Sequence, residues 1–413
     1  MITAGRAGIV SWIHERGEWP EFIWDDAALA RPLAEVRYRQ GRHLGKMEAL
    51  AIDLRTEANV LALTDEVVRS SAIEGEHLDP VEVRSSVARQ LGLDVGGLPM
   101  PGREVEGVVA MALDATSNFD RPLTAERLFG WHAALFPTGR TGITRITVGA
   151  WRTDKAGPMR VVSGPMGKER LHFQAPAASR LADEMDRFLE WFESSSIDPV
   201  LKAGVAHFWF VTIHPFDDGN GRIGRAIAEM ALSRADGTKE RYYSMSSAIE
   251  ARRKEYYRQL ESGQRGGLDI TAWLAWFLGC LDRTIQHADE RLASVLFKAS
   301  LWQRINEEPV NERQRTIINR LLGDFEGHLT TSKYARIAKC SNDTALRDIR
   351  ELLARGIIVR NPAGGRSTSY RLQLPAAKPD SQANAERGTS AELGISDPDV
   401  GELEGQGRLR RDA

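Results

Sequence analysis

The residues with the densest chemical potential lie between Ile213 and Arg225, in the run IHPFDDGNGRIGR. Gly219 and Gly221 carry no Cβ and tolerate positive φ, so the backbone there can aim successive N–H groups into one anion-binding concavity. From Arg222 the spacing turns helical, with Ile223, Ala226, Ile227, Met230 and Ala231 on one face. The turn therefore sits at a helix N-terminus, where unpaired N–H groups and the helix dipole favour a phosphate. Arg222 and Arg225, three residues apart, share the first helical turn and can grip further phosphate oxygens. Asp218 offers a hard carboxylate beside that nest, suited to a Mg²⁺ shared with phosphates. His214 can take a proton near neutral pH. A metal site made of His214 and Asp218 alone is weak, because the turn between them is not helical.

The run His214 to Arg225 resembles the complete HPFx(D/E)GNGRxxR signature of the Fic family, without a departure. That resemblance implies a helical catalytic domain that transfers AMP from ATP to a protein Ser, Thr or Tyr hydroxyl, with Mg²⁺ as cofactor. It implies His214 as general base, Asp218 as the metal ligand, and Gly219, Asn220, Gly221, Arg222 and Arg225 as nucleotide-binding residues. Phe216 is expected to anchor the turn in the core, and Tyr257 and Gln264 are implied near the adenine. Transfer of UMP, phosphate or phosphocholine by the same site is the neighbouring reading; the phosphate-transferring branch usually alters the GNGR segment, which is intact here.

A second motif lies upstream. Ser70, Glu74 and Gly75 match (S/T)xxxE(G/N), which resembles the inhibitory motif of Fic proteins that carry it N-terminal to the catalytic core. A Glu74 paired with Arg225 would occupy the arginine that otherwise holds the γ-phosphate, so bound ATP would be misoriented. The rival readings are a hydrolase in which Glu74 positions water to remove AMP from a protein, and a transcriptional regulator that uses the Fic domain as a sensor.

These motifs need a scaffold, and the composition supplies one. The chain has 413 residues, 42% of them hydrophobic, enough for two or three domains with buried cores. A net charge of −2 gives no whole-chain preference for polyanions. Cys280 and Cys340 form no metal spacing and no disulfide framework; both are expected in helices of a reduced, cytoplasmic protein. The first residues lack a secretory apolar region, and no run approaches the roughly 20 apolar residues that span a bilayer, so no membrane partner is expected.

The fold is expected to be mainly α. Residues 1–80 read as an N-terminal helical module ending in the inhibitory motif, with Trp12, Trp19, Phe22 and Trp24 buried against a neighbour. One helical run is expected from Gly45 to Glu74, its stripe including Leu50, Leu54, Leu61 and Val68. Residues 81–290 form the catalytic domain. Thr124 caps a helix there. His132 and His207 are expected to be packed, and Gly149 to Arg152 resembles a G-x-[aromatic]-R element of the family. Met159–Val162 and Leu171–Phe173 read as a β-hairpin around residues 164–167, by resemblance the flap over the site, whose edge could hold a target segment by strand addition. Ala178 to Glu193 is amphipathic, Val200 to Ile213 is a buried helix delivering the signature, and Tyr242 to Leu260 is one more helix. Residues 291–309 are a helical connection. Residues 310–374 carry twelve Lys and Arg against six Asp and Glu, a surplus of six. Their three helices followed by a hairpin, turning at Asn361 to Gly365, resemble the winged-helix module of many Fic proteins, whose partners would be DNA, a protein or a second copy in a homodimer. Residues 375–413 are expected to be a disordered tail.

Overall fold

The computed structural model describes residues 12–93, 97, 99–155, 157–164, 168–307, 309–322, 328–361, 368–373 and 409–410. The fold is mainly helical and divides into two units, residues 1–289 with 402–413, and residues 290–401. In the first unit the helices are α1 (Asp26–Glu48), α2 (Ile52–Ile73), α3 (Pro80–Gln90), α4 (Arg103–Ser117), α5 (Ala125–Leu135), α6 (Leu181–Ser194), α7 (Pro199–Ile213), α8 (Asn220–Asp236), α9 (Met245–Glu250), α10 (Arg253–Arg265) and the start of α11 (Thr271–Glu307). Its strands are β1 (Arg140–Thr141), β2 (Thr144–Arg145), β3 (Arg160–Ser163) and β4 (Arg170–Gln174). No helix among the described residues is long and apolar enough to cross a membrane.

α7 is the axis of this unit. Asp198 caps it through the N–H groups of Val200 and Leu201, Pro199 starts it, and almost every side chain from Val200 to Ile213 is buried. α8 lies against it so tightly that a Cβ on Gly224 would stand 2.8 Å from Val211 Cγ1. The amphipathic α6 covers α7 with Met185, Phe188 and Phe192. Trp19, Phe22 and Trp24 join the same core, whereas Trp12 packs edge-on against Phe173 of β4; Trp19 meets Phe22 and Trp209 edge-on, and its indole N–H donates to Glu184 at 2.8 Å. Thr124 caps α5 through the Arg127 N–H.

Two expected elements are divided differently. The run from Gly45 to Glu74 is the end of α1 and all of α2, separated by Ala49–Ala51. Those three residues are good helix formers, so local propensity gave no sign of the break. The buried stripe of α2 is Val60, Leu63, Val67, Ser70, Ser71 and Ile73, whereas Leu61 is 37% exposed and Leu50, Leu54 and Val68 are half-buried. Tyr242 to Leu260 is two helices, α9 and α10, interrupted at Ala251–Arg252.

The hairpin β3–β4 is antiparallel, with an irregularity opposite Val161/Val162 that leaves His172 as the extra residue. Residues 165–167 of its turn lie outside the described residues. The other edge of β3 is taken by Leu409–Arg410, which forms β8 of this same chain. The expectation of a tail without structure therefore fails at those two residues; the rest of 375–413 lies outside the described residues.

The second unit contains α12 (Glu312–Leu322), β5 (Leu329–Thr330), α13 (Thr331–Ile337), α14 (Asn342–Ala354), β6 (Ile358–Arg360) and β7 (Ser369–Leu372). The sheet runs β5-β7-β6, all antiparallel, and Ile317, Ile318, Leu329, Tyr334, Ile349, Leu352 and Ile358 fill its core. This element order is consistent with a winged helix; β5 is additional to the expectation, and the turn at residues 362–367 lies outside the described residues. Cys340 sits between α13 and α14, not within a helix, and both cysteines are free.

Candidate active site

The site is built where α7 stops. His214 takes the C-cap position in left-handed backbone, φ 52 and ψ 58. That conformation costs a non-glycine residue about 1–2 kcal/mol and persists only where surrounding bonds enforce it. Arg152 provides them: its backbone N–H donates to Pro215 O at 2.9 Å, and its Nε donates to His214 O at 2.8 Å. The Arg152 guanidinium also reaches Pro176 O at 2.6 Å and Asp154 at 3.1 Å. Asn220 closes the turn from the other side. Its Oδ1 accepts from Phe216 N and its Nδ2 donates to Phe216 O, both at 2.9 Å. Asn220 is thus a brace, with both side-chain groups committed to the backbone of the turn. Phe216 is fully buried and stacks on His132, ring centroids 4.2 Å apart and 7° from parallel. His132 donates from Nε2 to Asp218 O at 3.2 Å, and Asp217 accepts from Thr147 N at 2.9 Å.

The orientation of the His214 ring fixes its tautomer. Nδ1 lies 3.2 Å from Val211 O, and a carbonyl can only accept, so Nδ1 carries the proton and Nε2 the lone pair. Burial, with the Arg152 charge adding to it, lowers the His214 pKa to about 4. The imidazole is therefore neutral at pH 7, with a basic nitrogen available.

α8 starts at Gly219, whose φ of 80 only glycine adopts without strain. The first intrahelical bond is Ile223 N to Gly219 O at 3.0 Å, so the N–H groups of Asn220, Gly221 and Arg222 precede the helical ladder. Gly221 is excluded from carrying a side chain by a neighbour: a Cβ there would lie 2.0 Å from Glu74 Oε1. Arg222 and Arg225 are 3% and 2% exposed.

Glu74 reaches this pocket from the end of α2. Its Oε1 lies 2.7 Å from Arg225 Nη2. The same guanidinium donates from Nε to Ser70 Oγ and from Nη2 to Ser70 O, each at 2.9 Å. Burial would raise the Glu74 carboxyl, but the charge and hydrogen bond of Arg225, with the charges of Arg222 and Arg253, together hold the group below the usual carboxylate range. Ser70, Glu74 and Gly75 are thus brought onto the signature helix. Tyr257 donates to Ile73 O at 3.1 Å and stands over the same turn, while Tyr256 is buried and bonds His207 at 2.9 Å. Gln264 is buried against α7, its Nε2 donating to Thr212 Oγ1 at 3.3 Å.

Three polar atoms of the pocket find no hydrogen-bond partner among the described residues: His214 Nε2, Arg222 Nε and Arg225 Nη1. Buried donors of this kind are normally satisfied, and two guanidinium N–H groups beside open helix N–H groups fit a polyanion such as a phosphate chain. Asp218 is half-buried at the rim and is the carboxylate placed to share a cation with it. No cluster of three or more His, Cys, Asp or Glu occurs among the described residues, so a cation here would need ligands from the phosphates as well as Asp218.

Two supports had weak sequence signals. Arg152 belongs to an element recognised only by resemblance, and His132 read as an ordinary packed histidine. Both hold backbone carbonyls of the signature turn across long sequence separations.

Parts of the chain are similar to known proteins. Residues 122–232 match the family model described as Fic/DOC family, and residues 12–93 match one described as Domain of unknown function (DUF4172). The chain is 34% identical over 113 residues to Protein adenylyltransferase Fic of Drosophila willistoni, covering 27% of this chain and 21% of that protein. The Drosophila virilis protein of the same name is 34% identical over 113 residues, covering 27% and 22%. The match thus spans about a fifth of those relatives. Among solved structures, a Fic family protein from Desulfovibrio desulfuricans G20 aligns over 84% of this chain and 95% of its own, with TM-score 0.48 and 23% identity. A Fic domain containing signaling protein from Bacteroides thetaiotaomicron aligns over 63% and 96%, with TM-score 0.45 and 17% identity.

Proposed function

Because the chain belongs to the Fic family, we propose that it is a protein adenylyltransferase that moves AMP from ATP to a Ser, Thr or Tyr hydroxyl of a protein, itself included, under restraint by Glu74. The observation that carries this reading is the meeting, in one turn, of a neutral imidazole presenting Nε2 with two buried guanidinium groups that have N–H to spare.

In this reading the N–H groups at the start of α8 and the side chains of Arg222 and Arg225 receive the phosphates of ATP. Asp218 would hold Mg²⁺, which supplies charge neutralisation to the phosphates. His214 Nε2 takes the proton from the incoming hydroxyl, whose oxygen attacks the α-phosphorus while pyrophosphate leaves. The arginines stabilise the charge that develops on the leaving group. Val211 O keeps the imidazole in the basic tautomer by accepting from Nδ1. Arg152 holds the His214 carbonyl, and through it the strained backbone that aims the ring. Tyr257, at the turn that ends α2, and Gln264, on α10 beside Thr212, would receive the nucleoside.

Glu74 restrains the reaction by occupying Arg225 and the space above Gly221. Incubating the Glu74→Gly protein with α-labelled ATP, magnesium and a mixture of candidate proteins tests both parts. Label should enter protein, the chain itself included, faster than with the unsubstituted protein. Absence of label from every protein, with the nucleotide bound, would remove the transferase reading; equal labelling by both forms would remove the restraint.

A further inference from the structure

The inhibitory turn carries more charge than its motif specifies. α2 ends with Gly75 at φ +84, the Gly75 N–H on Ala72 O and the Glu76 N–H on Ser71 O, both at 3.0 Å. This paired stop is the Schellman arrangement, and it reverses the chain in one residue. As a result two carboxylates, one on each side of the glycine, face the start of α8. Glu74 takes Arg225, as described. Glu76 Oε2 lies 2.5 Å from Arg222 Nη1. The Arg222 guanidinium is buried and fixed over the Phe136 ring, 5.1 Å from its centroid. Both signature arginines are therefore neutralised by one turn.

We propose that Glu76 is a second inhibitory carboxylate, holding Arg222 against nucleotide phosphate as Glu74 holds Arg225. The inference rests on reading the signature turn as the phosphate site. A buried guanidinium needs an anion beside it, because an unpaired buried charge is costly. Glu76 supplies that anion, and an entering phosphate competes for the same N–H groups. The two carboxylates are held unequally. Glu74 is pinned against Gly221 and lies 3.5 Å from the Tyr257 hydroxyl, whereas the Glu76 side chain is 44% exposed and can swing into water without moving backbone. Burial raises the Glu76 carboxyl even beside Arg222, and Asp218 and Glu74 add like charge, so this contact is the weaker of the two. Glu74 would then block the productive pose, and Glu76 would reduce affinity for the phosphates.

The test measures binding and transfer separately, in the full chain. Mg·ATP and adenosine affinities are compared by calorimetry for Glu74→Gly and for Glu74→Gly combined with Glu76→Gln, with thermal melts to show that both are folded. Removing the charge should tighten Mg·ATP about two- to fivefold, the range of a partly exposed ion pair, and leave adenosine unchanged. Equal Mg·ATP affinity of the two proteins overturns the proposal. So does an equal gain for adenosine, which would mean that the turn had loosened as a whole. The reading of the enzyme is judged independently: if Glu74→Gly transfers no label while Glu76→Gln still tightens Mg·ATP, the second clamp stands and the transferase assignment falls.

Discussion

Two helices of this chain stop in the same way and use the stop differently. α2 closes on Gly75, and α14 closes on Gly356 with φ +60, the Gly356 N–H on Leu353 O at 3.0 Å and the Ile357 N–H on Leu352 O at 2.9 Å. At the end of α14 the residue after the glycine follows the usual rule for this turn. Ile357 is 3% exposed and belongs to the same apolar cluster as Leu352. At the end of α2 the corresponding residue is Glu76, which goes to Arg222, and the residue before the glycine is Glu74, which goes to Arg225. The backbone stop itself is neutral; the side chains on either side of the glycine decide whether it serves packing or charge. The partners differ as well. In the second unit Asp348 accepts from Asn311, Arg313 and Tyr334. Around Glu74 and Glu76, buried donors remain over.

The comparison breaks most severely if the turn of α2 faces no chemistry. In the Glu74→Gly background, His214→Ala should cut AMP incorporation about 10²–10⁴-fold, the contribution of a general base, while Mg·ATP affinity stays as it was. Retained transfer would show that another group accepts the proton. The opposite turn should respond only in stability. Ile357→Ala should cost about 2–5 kcal/mol in the denaturant unfolding of the second unit, with incorporation unchanged under native conditions. A smaller effect concerns pH. With its pKa lowered to about 4, His214 stays basic far below the range of an ordinary imidazole. An imidazole titrating near 6.5 would lose about tenfold by pH 5.5. For Glu74→Gly, kcat/KM should instead be flat from pH 8 to about 5.5 and fall only below that; a half-maximal point near 6.5 would contradict the burial of the ring.

What was legible in the sequence follows from how local each feature is. The signature turn is contiguous, so its glycines, arginines, His214 and Asp218 could be assigned before any contact was known. The packed α7 was legible because its apolar residues run all round the helix. Glu76 was not, because its partner lies 146 residues away and the (S/T)xxxE(G/N) pattern ends at Gly75. Arg152 acts on a carbonyl 62 residues away, and His132 on one 86 away. Such braces are set by tertiary packing and leave no periodic trace. Tyr256 and Tyr257 show the same limit at short range. Adjacent helical positions point about 100° apart, so one enters the core while its neighbour meets the turn that ends α2. Breaks at Ala49–Ala51 and Ala251–Arg252 carry neither Gly nor Pro, and so escaped a reading that depends on breakers.

The finest test addresses the glycines themselves. At positive φ, alanine is disfavoured by about 1 kcal/mol, whereas asparagine tolerates the conformation. Space does not interfere at Gly75, since a Cβ there would meet nothing within 4 Å. Gly75→Ala therefore strains the turn without a clash, and the strain is relieved when α2 frays at its end and withdraws both carboxylates. About 1 kcal/mol corresponds to roughly a fivefold shift in that equilibrium, so AMP incorporation should rise by up to about fivefold. Gly75→Asn should stay close to the unsubstituted protein. Gly356→Ala, with the same backbone penalty, should lower the melting temperature of the second unit and leave incorporation untouched. If Gly75→Ala behaved like Gly356→Ala, losing stability with no gain in transfer, the turn of α2 would be a helix stop and nothing more, and the inhibitory role would belong to the carboxylates independently of how the backbone aims them.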